Sequence, residues 1–75
     1  MKFPDRSTVE RVRAEYPPGT RVILRRMEKD PQAPPIGTLG TVICTDDVAD
    51  LLVKWDNGSG LKVIYGEDYV EKVVE

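Results

Sequence analysis

Hydrophobic positions along this chain change their period once, at a double proline, and that change organises everything else. Before it, Val9, Val12 and Tyr16 recur at helical spacing, with Arg11, Arg13 and Glu15 pointing elsewhere. Ser7-Thr8-Val9-Glu10 has the form of a capping box, so a helix is expected over residues 6–16 with Ser7 at its start. Pro17-Pro18-Gly19 stops it, because proline donates no amide and disfavours helical geometry in the residue before it.

Beyond the prolines the rhythm is two. Val22 and Leu24 share one face of a strand, with Arg21, Ile23 and Arg25 on the other. A proline-rich stretch from Asp30 to Gly37 must turn. Leu39–Thr45 then reads as a second strand with Val42 and Cys44 inward and Ile43 outward. Asp50–Trp55 is a third, placing Leu51, Val53 and Trp55 together. Asp56-Asn57-Gly58-Ser59 is a hairpin signal of the primed-turn kind, Leu61 and Val63 lead a returning fourth strand, Gly66-Glu67-Asp68 breaks it, and Tyr69–Val74 forms a fifth. The expected fold is mainly β: a small five-stranded barrel over residues 19–75, preceded by one short N-terminal α-helix, all within a single domain spanning 1–75.

Composition narrows the chemistry. A chain of 75 residues supports one small core. Without histidine it has no Ser-His or Cys-His pair and no imidazole ligand, and with Cys44 alone it has neither an internal disulfide nor a cysteine-rich zinc site. No cofactor and no metal are expected. Asp46, Asp47 and Asp50 lack the spacing of a calcium loop and read as a hydrated turn; Ser59 reads as hairpin chemistry with no base beside it. Met1-Lys2-Phe3-Pro4 followed by Asp5 and Arg6 is no signal sequence or membrane span, which makes the cytoplasm the expected compartment.

The net charge of −2 is unevenly spread: residues 1–30 carry eight basic side chains, Lys2 and Lys29 among them, against five acidic ones, whereas 31–75 carry three against eight. That asymmetry makes Arg11, Arg13, Arg21, Arg25 and Arg26 candidates for a phosphate-tracking patch, although a solvated face paired with Glu10, Glu28 or Asp56 is the plainer reading and a sequence pI near 5.1 weighs against nonspecific nucleic-acid binding.

Three blocks, Tyr16-Pro17-Pro18-Gly19-Thr20-Arg21-Val22, Pro35-Ile36-Gly37-Thr38-Leu39-Gly40-Thr41-Val42 and Val53-Lys54-Trp55-Asp56-Asn57-Gly58, resemble a family of small bacterial and phage proteins known as domain of unknown function 4314, over about Val9 to Val73. The Lys-Trp-Asp-Asn-Gly hairpin is also similar to that of Mib-Herc2 domains. The resemblance implies an SH3-like barrel and no catalytic motif. Where family members tend to carry proline before the glycine after the fourth strand, this chain has Tyr65 before Gly66.

The expected function is a noncatalytic SH3-like module that binds a protein partner, through Trp55, Tyr65, Tyr69 and the Met27–Ile36 loop with Met27 at its base. Trp55 has two readings: its parity with Leu51 and Val53 favours the core, its place beside the hairpin suits a groove. Nucleic-acid binding through the arginines is the alternative. An accessory protein of a phage or mobile element that blocks a host machine is a third. A monomer and a homodimer are both open, since a small core and free strand edges favour association.

Overall fold

The computed structural model describes residues 4–28 and 30–73. Lys2, Lys29 and the Val74 end of the last expected strand lie outside the described residues.

Helix α1 spans Arg6–Glu15. Its N-cap is Asp5 rather than Ser7: the Asp5 carboxylate accepts from the Thr8 amide and from the Ser7 hydroxyl, both at 2.9 Å. An extended Asp5 after Pro4 sets its oxygen over the first turn, and a full negative charge suits the positive helix end better than a hydroxyl does. The Thr8 amide first, then Ser7, hold the Asp5 carboxyl below the usual aspartate range. The Tyr16 amide donates back to the Val12 carbonyl at 2.9 Å, and the prolines end the helix there.

Four strands follow, β1 (Arg21–Arg26), β2 (Leu39–Thr45), β3 (Leu51–Trp55) and β4 (Tyr69–Lys72), in one antiparallel sheet ordered β3-β2-β1-β4. The expected alternation holds in β1 and β3: Val22, Leu24, Leu51, Val53 and Trp55 are all buried. Trp55, 1% exposed, is a centre of the core, its indole nitrogen donating to the Leu61 carbonyl at 3.0 Å. Gly40 makes this possible, since a Cβ there would stand 2.6 Å from Val53 Cγ1 and 2.7 Å from Trp55 Cε3.

Beyond the helix cap, three expectations about the strands and their turns are corrected. The first is the alternation in β2. A register shift between Val42 and Cys44 leaves both Ile43 and Cys44 exposed and turns Thr45 inward. A bulge adds a residue to one strand, which reverses every face beyond it.

The second is the fifth strand and the barrel. Among the described residues the sheet has four strands and remains open. Leu61–Ile64 contributes only the bridge Leu51↔Val63, so the segment expected as the fourth strand is not one. Side-chain carboxylates replace the ladder there: Asp68 accepts from the Ile64 amide at 2.8 Å and Asp50 from the Tyr65 amide at 2.9 Å. Once its amides are satisfied in this way, the backbone has no need of a strand partner.

The third is the hairpin turn. Gly58 takes a φ of 94° while Asn57 stays outside the left-handed region, so the loop is a three-residue one closed by Gly58 N to Trp55 O and Trp55 N to Ser59 O, at 3.0 and 2.9 Å. The left-handed glycine fits the three-residue class rather than the primed two-residue turn.

Candidate functional site

Helix α1 packs beside the sheet through Val9 and Val12, and its C-terminal end stops short of the chain between Tyr65 and Val70. Between them runs a groove of about 690 Å³. Val12, Leu51, Val63 and Val70 form apolar parts of its wall. Leu51 belongs to β3 and Val70 to β4, the two outer strands of the sheet, so the sheet bends until both edges border the same opening.

Three tyrosines line this groove: Tyr16 from the helix end, Tyr65 and Tyr69 from the far side. Tyr65 and Tyr69 are 44% and 56% exposed, as surface contact requires. A compact turn presents them. Gly66 adopts a φ of 82°, the Glu67 and Asp68 amides donate to the Ile64 carbonyl at 3.1 and 2.9 Å, and the carboxylates of Asp50 and Asp68 hold the Tyr65 and Ile64 amides. Tyr16 is half-buried, and the Lys72 ammonium stands 5.3 Å from its ring centroid. Burial, then the neighbouring Glu15 and Tyr69, push the Tyr16 hydroxyl above the usual tyrosine value. It therefore remains a neutral donor and acceptor at physiological pH.

The other expected contact residues lie elsewhere. Trp55 is buried and Met27 is 5% exposed, so neither side chain faces a partner. Met27 joins the hydrophobic core, the register shift between Leu24 and Arg26 changing the face presented after Leu24. Residues 30–36 line no part of the groove; Ile36, 60% exposed, protrudes on its own loop. The aromatic surface is therefore Tyr16, Tyr65 and Tyr69, and the residue missing from the sequence-based set is Tyr16, whose helical spacing marked it only as a packing residue.

The arginines separate into two groups. Arg21 pairs with Asp56 through two hydrogen bonds of 2.8 and 2.7 Å and donates to the Thr41 hydroxyl. This Arg21 bond is the leading reason why the Asp56 carboxyl lies below its usual range. Arg25 pairs with Glu71 at 2.9 Å, and Arg13 with Asp47 at 3.7 Å while also donating to the Thr45 carbonyl. Arg6 pairs with Glu10 along the helix. Arg11 and Arg26 differ: both line the groove, and neither has a carboxylate within ion-pair distance among the described residues.

Asp46 is the hinge of the acidic turn. Its carboxylate accepts from the Val48 and Asp50 amides at 3.0 Å each and from Lys62 at 3.4 Å. Burial alone would raise its pKa, but these three donors outweigh burial and lower it. Asp50 turns away from this cluster towards Tyr65. Among the described residues no group of three or more histidine, cysteine, aspartate or glutamate side chains is arranged to hold a metal ion, and no helix is long and apolar enough to cross a membrane.

Residues 5–73 match the family described as a domain of unknown function (DUF4314). The chain belongs to that family. No curated protein and no solved structure matches it. The DUF4314 match runs from the Asp5 cap through β4, so helix, sheet and tyrosine groove all fall inside the family's span.

Proposed function

We propose that this DUF4314 chain is a noncatalytic binding module, related in design to SH3-like barrels, whose groove receives a segment of a protein partner. One observation carries the reading: Tyr16, Tyr65 and Tyr69 border a single opening of about 690 Å³ with apolar side chains in its wall. Tyrosine supplies large contact area with a polar end at low entropic cost, and a concave site of this size suits a peptide segment. The site holds no nucleophile with an adjacent base, which fits binding rather than catalysis.

The resemblance to small bacterial and phage proteins fits a cytoplasmic adaptor, and an inhibitor of a host machine is one form that such an adaptor takes. Nucleic acid is the weaker reading, because Arg13, Arg21 and Arg25 each stand within ion-pair distance of a carboxylate. The open edges at β3 and β4 suit either a monomer or a homodimer.

Affinity capture with the full chain and with a Tyr65→Ala/Tyr69→Ala variant tests the groove. A protein partner retained by the parent and lost by a variant with an unchanged circular dichroism spectrum is expected. Equal capture by both folded proteins overturns this surface. A gel shift that weakens steeply with salt and disappears on Arg25→Glu/Arg26→Glu would favour nucleic acid instead.

A further inference from the structure

The distribution of ion pairs is the most uneven feature of the surface. Arg6, Arg13, Arg21 and Arg25 each face a carboxylate. Among the described residues Arg11 and Arg26 have no carboxylate within ion-pair distance, Arg11 acting on Asp5 only as a minor electrostatic influence, and they come from separate elements, the middle of α1 and the end of β1, to one groove. Arg11 Nη2 donates to the Tyr65 hydroxyl at 3.4 Å, while Arg26 Nε and Nη2 donate to the Glu67 backbone carbonyl at 3.2 and 3.1 Å. Both guanidinium groups thus reach the Tyr65–Glu67 turn, and among the described residues their hydrogen bonds go to neutral acceptors. A guanidinium has five donors, so each keeps some for a further partner.

The acidic side chains of the same groove, Glu15 and Asp68, form no ion pair with either arginine. Asp68 directs one carboxylate oxygen to the Ile64 amide, inside its own turn. Glu15 stands beside Tyr16 at the helix end, and no ion pair joins it to Arg11 one turn earlier. Leu51, Val63 and Val70 line the same groove as the two cations.

From this we infer that the occupant of the groove is an acidic peptide segment, with carboxylates seated on Arg11 and Arg26 and an apolar side chain on Leu51, Val63 and Val70 between the tyrosines. The inference rests on the binding-module reading above and adds the partner's chemistry. Arginine forks match carboxylates in two-point geometry, and tyrosine hydroxyls add neutral donors to the same anion. A peptide suits the site better than a nucleic acid because the positive charge is confined to two side chains of a groove that apolar residues also line, not spread along a track.

Random nonapeptides displayed on phage and panned on the immobilised full chain provide the test, followed by affinity measurement with one enriched peptide made synthetically. Enriched sequences are expected to carry aspartate or glutamate on both sides of an apolar residue. Arg11→Glu and Arg26→Glu are each expected to weaken the synthetic peptide by about tenfold or more, whereas Arg6→Glu, the same charge change on an exposed part of α1, leaves it within about twofold. Arg11→Gln and Arg26→Gln serve where a charge reversal disturbs the fold.

Enrichment of neutral or basic peptides that Tyr65→Ala and Tyr69→Ala still weaken overturns the acidic partner and leaves the groove as the binding site. No enrichment, or peptides that no groove variant weakens, overturns both readings. If a twenty-nucleotide oligothymidine binds and is lost with the same arginine variants while no peptide is enriched, the occupant is a nucleic acid and the inference fails.

Discussion

Around Gly40 the sheet closes so tightly on Trp55 and Val53 that a single added carbon has no room, whereas between α1 and the Tyr65–Val70 segment about 690 Å³ stays open. The first region is held by apolar contact between β2 and β3. The second is held by hydrogen bonds: Asp50 and Asp68 fasten the turn, and Arg11 and Arg26 rest on it. A small domain cannot fill every gap with side chains, and here the approach of β2 to β3 at Gly40 is tight while the groove beside α1 stays open. Stability and binding are therefore expected to respond to different substitutions.

The largest effect should come from the packed side. Trp55→Ala removes the largest fully buried side chain and is expected to cost about 3–5 kcal/mol, read from urea unfolding; for a domain this small that approaches the whole stability. A loss under about 1 kcal/mol would mean that the tryptophan is not the centre of the core. Gly40→Ala should follow at about 1–3 kcal/mol, because Val53 and the Trp55 ring would have to move. Melting temperature measures it, and an unchanged value would break the contrast between the two regions.

On the open side, Asp50→Ala is expected to cost about 1 kcal/mol and to speed hydrogen exchange at the Tyr65 amide, while Asp50→Asn, which keeps an acceptor, does less. A sharper loss of peptide binding than of stability in Asp50→Ala would show that the turn's task is to present Tyr65. The smallest effect concerns pH. The carboxyl of Asp46 titrates below the ordinary aspartate range in the folded chain, as do those of Asp56 and Asp5. Their stabilisation is thus complete above the unfolded aspartate value and lost as pH falls through the folded ones. Thermal melts at decreasing pH should show this decline, and Asp46→Asn should make it shallower; an identical slope in the variant would remove Asp46 from the acid response.

Much of the architecture was legible because local geometry dictates it. Pro17 and Pro18 end a helix in any context, and Val22 with Leu24 or Leu51 with Val53 share a face wherever a strand forms. Cys44 shows the limit. Its parity with Val42 pointed inward, but one extra residue in β2 reversed the face, and nothing local to Thr41-Val42-Ile43-Cys44 announces a bulge. Leu61–Ile64 failed as a strand for a similar reason. The acceptors that satisfy its neighbouring amides are carboxylates from Asp50 and Asp68, one of them more than a dozen residues away.

The candidate site was half visible. Tyr65 and Tyr69 stood out as turn aromatics, and the arginines as a basic series, but only folding sorted the series into paired and unpaired members. By itself the sequence determined where the helix stops, which side chains of β1 and β3 are buried and which residue types are on hand, with no histidine and one cysteine, since these follow from backbone geometry and residue inventory. The tertiary structure alone decided that Tyr16 borders the same groove as Tyr65 and Tyr69, and that, among the described residues, Arg11 and Arg26 have no carboxylate within ion-pair distance. Such outcomes depend on distances between residues far apart in the chain, and those distances exist only once the sheet has curved and the helix has docked against it.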